Sequence, residues 1–365
     1  MRDVIRCIRK YMEVIDDENF IIHWKRLSEK LLKGIQEGYK DHLHEPDIVK
    51  IIEYIINNIG QLSTKDKRFN ISTSSIFIHG NRSQVEFEYY RKRTQRELGD
   101  IIFILSVIYN GKKYFEKMTI NQIKKSKNVS WNFNNDSAKE QLYLLSRFPI
   151  FRGAKGSLIP VKDYNLPNNS DCLGTHGLLY YPGDFALISS KQLEVILSRK
   201  NNLKLKDLVM RIAPNNICPC FLYCYLLNDM DFEECLYILH DLIHFHLRYF
   251  GHFPPFICNL PILSNSCMSY NVYDFSNKYL MGYIGELIYA KKLPYNKAAF
   301  QFLHDLLSVI RKKAEREELE DVLKFISSYN YGYGGGKEVE RYEESNYEGG
   351  GIGIIHTIIN LGEGE

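Results

Sequence analysis

An acid, an amide and an amine fall at related positions of one predicted β-hairpin. Asp100 begins a long apolar strand, and the Asn110–Gly111 pair that follows is the strongest two-residue signal for a tight hairpin turn. Gln122 and Lys124 stand near the end of the returning strand, two positions apart and therefore on one face. Because Asp100 lies almost as far before the turn as Gln122 lies after it, we expect the three side chains to converge at one open end of a sheet.

These residue types suit the hydrolysis of a phosphodiester bond. Mg²⁺ takes oxygen ligands and keeps several waters, so one carboxylate and one carbonyl oxygen can hold it with a backbone oxygen and a phosphate oxygen. A lysine near such a metal can orient or help to deprotonate the attacking water and can balance the developing charge. The three residues therefore favour metal-assisted cleavage of a phosphodiester.

The elements that must position this hairpin alternate between helix and strand. Periodicity and turn residues predict a helix at about 45–60, strands at 85–89, 100–109 and 114–124, a helix at 136–148 and a strand at 184–189. The strand that begins at Asp100 is apolar on both faces, which is typical of a central strand. The predicted order is thus helix, three strands, helix, strand.

The segment Glu97-Leu-Gly-Asp100, with Gln122-Ile-Lys124 on the next strand, resembles the PD-(D/E)XK nuclease superfamily. The resemblance covers about residues 45–190. It implies an α/β (α+β) fold with a restriction-endonuclease-like α-β-β-β-α-β core and a mixed sheet. Gly99 stands where many members have proline, and Gln122 where most have Glu or Asp. A Gln-x-Lys version resembles the Mrr-like restriction branch of the superfamily.

The resemblance also implies roles for single residues. Asp100 and Gln122 would bind Mg²⁺ or Mn²⁺, and Lys124 would be catalytic. Members often add an acid from the first helix, for which Glu53 is the best-placed candidate. The acids that could substitute for it are Glu97, Glu86 and Glu88. The implied activity is that of a Mg²⁺-dependent endonuclease, with DNA favoured as substrate, in prokaryotic restriction or anti-phage defence. A partner ATPase or another defence subunit, and a homo-oligomer, are further expectations.

Basic residues are concentrated around the predicted hairpin. Ten basic residues stand against three acidic ones between Arg91 and Val129, although the whole chain has a net charge of only +3. Such a local surplus suits a polyanion such as nucleic acid. The residues expected to contact its backbone are Lys112, Lys113, Lys117, Lys125, Lys127, Arg147 and Arg152. For the two arginines, solvation of a helix end explains their positions equally well.

Four regions are predicted along the chain. A helical segment at 1–44 precedes the core at 45–190, a mostly helical domain follows at 191–328, and residues 329–365 form a tail rich in Gly, Tyr and Glu. Ile352 to Leu361 of the tail can make one strand that adds to a sheet edge, in this subunit or in a partner. In a second interpretation, the acidic tail shields the basic site until DNA displaces it.

Cysteine and hydropathy patterns bear on compartment and on metal binding. Eight cysteines in 365 residues are too dilute for a disulfide scaffold, so reduced and mostly buried thiols are expected. No apolar run reaches the roughly 18 residues of a membrane-spanning helix, and we expect a cytoplasmic protein without a membrane partner. Four cysteines and four histidines between Cys218 and His252 could bind zinc, but their apolar neighbours favour a buried helix.

A second class of function stays open at this point. The chain can keep a nuclease-like fold without catalysis and use its sheet and basic surface as an assembly subunit of a defence complex, binding nucleic acid or a partner protein. The neutral Gln122 favours this alternative, because an amide holds a metal less firmly than a carboxylate does. A zinc-binding regulator built on the His and Cys residues is a third interpretation.

Overall fold

The hairpin at Asn110–Gly111 forms as its sequence predicts. The two residues have φ values of 50° and 65°, as a type I′ turn requires. They join strands Ile101–Tyr109 and Lys112–Ser126, which pair antiparallel with Ile101 opposite Asn121. The first strand is buried on both faces up to its last residue, which confirms its central position.

The computed structural model describes residues 2–64, 68–198, 202–205, 262–263, 265–313, 319–331 and 351–362. The helices in these ranges are α1 (Arg2–Ile15), α2 (Glu18–Lys40), α3 (Glu45–Asn57), α4 (Asp136–Arg147), α5 (Ser190–Leu197), α6 (Val272–Leu280), α7 (Lys297–Lys313) and α8 (Leu319–Tyr331). The strands are β1 (Leu62–Ser63), β2 (Phe69–His79), β3 (Gln84–Tyr89), β4 (Lys92–Glu97), β5 (Ile101–Tyr109), β6 (Lys112–Ser126), β7 (Ser130–Asn132), β8 (Phe151–Gly153), β9 (Gly174–Tyr180), β10 (Asp184–Ser189), β11 (Asn202–Lys204), β12 (Met268–Ser269), β13 (Glu286–Ala290) and β14 (Gly351–Leu361). The mixed α/β class is confirmed.

Nine of these strands form one mixed sheet within the described ranges. Eight follow the order β1-β2-β14-β5-β6-β9-β10-β12, and β13 pairs with β6. The fifteen residues of β6 are enough to pair with β13 near its start and with β9, in parallel, near its end. β3 was expected in the core meander, but it lies with β4 and β8 in a separate three-stranded sheet.

The strand near residue 355 lies inside the sheet, and the expectation that it adds to an edge is wrong. β14 pairs antiparallel with β2 over all its eleven residues and parallel with β5 over nine. Its isoleucines point to both faces and are buried. The helices on either side of the sheet cover both faces of the strand, and its two neighbours pair with both of its edges.

The segment 191–328, expected as a mostly helical domain, contributes two strands to the same sheet. β12 pairs with β10, and β13 pairs with β6. Helices α1, α2, α3 and α6 pack on one face of the sheet, while α4, α7 and α8 pack on the other. The half of β6 near the turn has no other neighbour on that side, which explains why β13 joins it. The His and Cys cluster of 218–252 lies outside the described residues.

One cysteine pair is bonded, in contrast to the expected reduced thiols. Cys172 and Cys267 form a disulfide with their Cα atoms 5.5 Å apart. The bond joins the segment before β9 to the segment before β12. Cys7 is a free and buried thiol, and the other five cysteines lie outside the described residues.

A buried carboxylate ties β14 to the hairpin on the face covered by α7 and α8. Glu116 accepts hydrogen bonds from the hydroxyls of Ser106 at 2.7 Å and Tyr329 at 2.8 Å, and it pairs with Lys113. His356 of β14 lies 2.9 Å from the Ser106 hydroxyl. Burial raises the pKa of Glu116, but Lys113 and the other partners bring the pKa below its usual value. The charge therefore stabilises the packing of three strands.

No helix among the described residues has the length and apolar character needed to cross a membrane.

Removing β14 should prevent the sheet from forming. Deletion of residues 351–362 removes the strand that β2 and β5 share as a neighbour. The backbone N–H and C=O groups along the facing edges of β2 and β5 then lack hydrogen-bond partners. We expect the cooperative thermal transition in circular dichroism to be lost. A chain that lacks only residues 363–365 should keep the transition. Cooperative melting of the longer deletion at the wild-type temperature would show that the strand is dispensable.

Candidate functional site

The hairpin brings Asp100 and Gln122 into direct contact at the end of the sheet remote from the turn. The backbone N–H of Asp100 donates to the carbonyl of Asn121 at 2.8 Å. Asp100 Oδ2 accepts hydrogen bonds from the side-chain amide of Gln122 and from the backbone N–H of Ile123, both at 2.5 Å. The convergence expected from the spacing around the turn is found in the structure.

The carboxyl of Asp100 is poised to titrate near neutral pH. Burial raises its pKa to about 7, although Lys124 and the Ile123 N–H act in the opposite direction. The neighbouring carboxylates of Glu45 and Glu97 raise the pKa further. A cation bound at this carboxylate would favour its charged form.

Gln122 stands between Asp100 and a second amide. Its Nε2 donates to Asp100, and its Oε1 accepts from the side-chain N–H of Gln141 on α4. Turning both amides by half a turn would reverse the bond between them, break the bond from Gln122 to Asp100, and bring the Gln122 oxygen beside that carboxylate, because the two ends of an amide are nearly equal in size. The pair of amides can therefore present either a donor or an oxygen ligand.

Lys124 is held by an acid at the start of α3. Its Nζ lies 3.4 Å from Glu45 Oε1, and the other oxygen of Glu45 accepts from the Lys125 backbone N–H at 2.6 Å. Glu97 is half-buried at the end of β4; burial raises the pKa of its carboxyl, and Lys124 lowers it. Asp100, Glu97 and Glu45 thus act electrostatically on one another and on a single lysine.

Glu53, the expected acid from the first helix, lies away from this group. It is buried within α3, its carboxyl bonds the hydroxyl of Ser75, and burial raises its pKa. Its side chain packs over Gly353 of β14, and it is not among the charges that shift the pKa of Asp100. The helix acid at the site is Glu45, which the sequence analysis missed.

A signal for Glu45 was present in the sequence. It is the first residue of α3 and precedes the proline of the first turn, so it stands at the end of the helix that meets the strand ends. Of the three substitutes considered, only Glu97 lies at the site. Glu86 pairs with arginines on the small sheet, and Glu88 is exposed on the same strand.

The expected nucleic-acid contacts are spread over several parts of the surface. Lys125 and Lys127 lie at the site end of β6; Lys125 donates to the Leu43 carbonyl at 2.5 Å, and Lys127 is exposed. Lys112 and Lys113 lie at the turn, about 30 Å from Asp100 along the strands. Lys112 is exposed there, whereas Lys113 belongs to the buried carboxylate network.

The two arginines lie on the side of α4 and β8. Arg147 bonds Glu194 at 2.6 Å, and Arg152 lies 3.6 Å from Glu86. Both side chains keep more than a third of their surface exposed. They remain accessible to a polyanion that approaches the small sheet.

Lys117 is the exception among the expected contacts, and its assignment is corrected. Its exposed fraction is 1%, and its Nζ donates to the carbonyl of Gly282 at 2.7 Å. Burial lowers its pKa to about 7, while Glu286 acts to raise it. The strand β13 covers this part of β6, so the ammonium cannot reach a nucleic acid.

The oxygen donors at the site fit a hard divalent cation. Asp100 supplies a carboxylate, Gln122 supplies an amide oxygen after both amides turn, and the Ile123 carbonyl lies 3.3 Å from the same amide. No group of three or more His, Cys, Asp or Glu side chains is arranged as a metal site in the described part of the chain. Water would therefore fill most positions, as Mg²⁺ prefers.

Replacing Asp100 with asparagine should change how stability depends on pH. A carboxyl with a pKa of about 7 in the folded protein and about 4 in the unfolded chain binds its proton more tightly when folded. Its contribution to stability is complete below about pH 4 and is lost as the pH rises through 7. Asp100→Asn cannot ionise, so we expect it to exceed the wild type by about 2–4 kcal/mol in unfolding free energy at pH 8 and to match it at pH 4.

Urea unfolding at both pH values measures this difference. The exposed Asp163→Asn is the matched control and should follow the wild type. Mg²⁺ should stabilise the wild type at pH 8 and leave Asp100→Asn unchanged, because only the carboxylate attracts the cation. Parallel pH profiles for wild type and Asp100→Asn would show that this carboxyl has an ordinary pKa.

Comparison of the chain with protein-family models, curated proteins and solved structures found no match in any of the three. The function is therefore argued from the geometry and chemistry of the site.

Proposed function

We propose that the protein is a metal-dependent nuclease that hydrolyses phosphodiester bonds of nucleic acid, with DNA as the favoured substrate. The observation that carries the proposal is the contact of Asp100 with Gln122 beside Lys124 at the joined ends of β5 and β6. Of the elements that follow α3, the strands β2, β5 and β6 lie in the main sheet, α4 comes next, and β9 then pairs parallel with β6, although β14 separates β2 from β5. This arrangement supports a core of the PD-(D/E)XK kind.

Each residue of the site has a separate task in this proposal. Asp100 and the turned amide of Gln122 would hold Mg²⁺ or Mn²⁺, which when bound supplies a Lewis acid for a phosphate oxygen. The half-exposed Lys124 would donate to the attacking water or to a phosphate oxygen that gains charge. Glu45 fixes the ammonium and can accept a proton from the water.

Basic residues near the site would hold the substrate. Lys125 and Lys127 can neutralise phosphates next to the scissile bond, and Arg147 and Arg152 can do so beyond α4. Contacts of this kind carry no sequence information, and the affinity they provide falls as salt displaces them. We propose a role for such an enzyme in prokaryotic restriction or anti-phage defence, with an ATPase or another defence subunit as partner.

One observation favours a second candidate, a non-catalytic assembly subunit. The amide of Gln122 donates to Asp100 and accepts from Gln141, so the network is complete without a metal. A site of this kind stabilises the sheet end, while the basic surface binds nucleic acid or a partner protein. The two candidates differ in whether a divalent ion produces a cut.

A cleavage assay on plasmid and linear DNA with Mg²⁺ or Mn²⁺ tests the proposal. We expect the wild type to cut DNA. Lys124→Ala should cut at least about 100-fold more slowly, because a positioned proton donor or acceptor usually contributes that much to the rate. Lys139→Ala, an exposed lysine of α4, is the control and should cut like the wild type. Equal cutting by wild type and Lys124→Ala would place the chemistry elsewhere. DNA binding without cutting by any variant would favour the assembly subunit.

The helix acid can be identified by comparing two substitutions in α3. Glu45→Gln should lower the cleavage rate roughly 10-fold or more, because it releases Lys124 and removes a proton acceptor. Glu53→Gln should cut at the wild-type rate, because burial already favours the neutral form of that carboxyl. Thermal melts of both variants control for misfolding. The reverse ranking of the two rates would assign the role to Glu53.

A further inference from the structure

The β3–β4 hairpin connects the candidate site to an exposed turn. β4 ends at Glu97, and Asp100 follows three residues later. At about 3.4 Å per residue, the turn lies roughly 20–30 Å from the site. The turn residues Tyr90 and Arg91 have φ values of 45° and 66°, which gives the tight two-residue geometry that holds a hairpin tip in place.

Three tyrosines pack together at this tip. The ring of Tyr90 lies 4.6 Å from that of Tyr89 and 5.6 Å from that of Tyr143 on α4, and Tyr89 and Tyr143 are 5.1 Å apart. Tyr90 is nevertheless 71% exposed. The two inner rings therefore support the outer one, which presents a large, oriented aromatic surface to solvent.

An arginine stiffens the base of this tyrosine cluster (Tyr89, Tyr90 and Tyr143). The guanidinium of Arg147 lies 5.3 Å from the centroid of the Tyr143 ring. Its Nε donates to Glu194 at 2.6 Å, which fixes the side chain over the ring. A cation held against an aromatic surface adds to its attraction for a nucleic-acid base and its phosphate.

Further positive charge lies at the tip of the hairpin. Arg91 and Lys92 are exposed beside Tyr90, and neither has an ion-pair partner in the described part of the chain. Arg96, on the same strand, pairs with the buried Glu140 at 2.5 Å. A polyanion that touches the tip therefore meets Lys92, which lies opposite Tyr89 on the face of the aromatic rings, and Arg91 at the turn, which also lines the groove on the other face.

The opposite face of the same hairpin has a different character. A groove there is lined by arginines and carboxylates in equal number, which are Arg91, Arg93, Arg152, Glu86, Glu88 and Asp163. Glu86 already pairs with Arg93 and Arg152. Charges of opposite sign therefore largely cancel on this face.

We propose that the tyrosine cluster is a stacking platform for an unpaired base of a nucleic-acid strand that extends along β4 toward Asp100. A planar ring with cations at its rim fits a base and its phosphates, and a base inside a duplex cannot offer its face. The preferred substrate thus carries a single-stranded segment near the cleaved bond, at most about ten nucleotides away, because the 3.4 Å rise of a stacked strand is the shortest spacing per nucleotide. The inference rests on the proposed nuclease function for its substrate class.

Binding can be measured without cleavage, which separates this inference from the proposed activity. The probes are a fluorescein-labelled oligothymidylate of 20 nucleotides and a 20-base-pair duplex, titrated with full-length protein in EDTA and read by fluorescence anisotropy. We expect Tyr90→Ala to weaken single-strand binding about 5- to 150-fold, the loss that one stacked base predicts. Tyr90→Trp should bind at least as tightly as the wild type. Duplex binding should change less than 2-fold in both variants.

Tyr273→Ala, which removes a tyrosine that is 41% exposed on α6, is the matched control and should bind like the wild type. Wild-type affinity of Tyr90→Ala for the single strand would overturn the platform, as would equal losses for single strand and duplex. Polyglutamate that binds as tightly as the oligonucleotide and is weakened equally by Tyr90→Ala would point to an acidic peptide instead. Cleavage of duplex DNA by a protein that fails this test would leave the nuclease proposal standing and the platform rejected.

Discussion

The two hydrogen-bond ladders of β14 are the constraint on which the sheet depends. Without this strand, β2 and β5 have no connection, because β14 separates them along its length. The ladder also reaches the site itself. The N–H of Gly353 donates to the carbonyl of Asp100 at 2.8 Å, while the N–H of Asp100 donates to Asn121. Both backbone groups of the acid are thus held, one by β14 and one by β6, and its carboxyl is aimed by strands on either side.

Helix α4 joins the two regions to which we assign functions. Gln141 faces the sheet and bonds Gln122, while Tyr143 and Arg147 face the β3–β4 hairpin. Two residues along a helix turn the side chain by about 200°, so one helix serves the site and the tyrosine cluster from opposite sides. A shift of α4 would therefore alter the amide pair and the aromatic platform together, which gives strand binding a physical route to the chemistry.

Local patterns predicted the hairpin well and the long-range pairing poorly. The Asn110–Gly111 turn, the register that sets Asp100 against Gln122, and the helices at 45–60 and 136–148 follow from turn chemistry and periodicity, which act over a few residues. The interior place of β14 and the addition of β13 to β6 depend on strands that are far away in sequence. A local sequence pattern does not identify which strand another strand will pair with. The basic neighbours of Lys117 predict a surface cation, whereas the side chain is buried against the distant Gly282.

The sequence predicts Glu53 rather than Glu45 as the helix acid of the site for a related reason. Periodicity gives the face of a residue on its helix but not which end of the helix meets the site. Glu53 lies on the buried face and Glu45 at the end that meets the hairpin, and only the packing of α3 on the sheet distinguishes them. The amide pair could not be anticipated either, because Gln141 reads as one polar residue of an ordinary amphipathic helix.

Asp100 stands at the start of β5, and the strand β14 that pairs with β5 lies far away in sequence, which has a consequence during synthesis. Ser106 of β5 and His356 of β14 are 250 residues apart. At 5–20 residues per second, about 10–50 s pass between the emergence of one and of the other from the ribosome. Through that interval the acid-bearing strand has an open side and cannot hold its final geometry. A messenger broken or stalled before the codons of β14 would therefore yield only inert fragments, and the proposed nuclease would be active only in chains that already include β14.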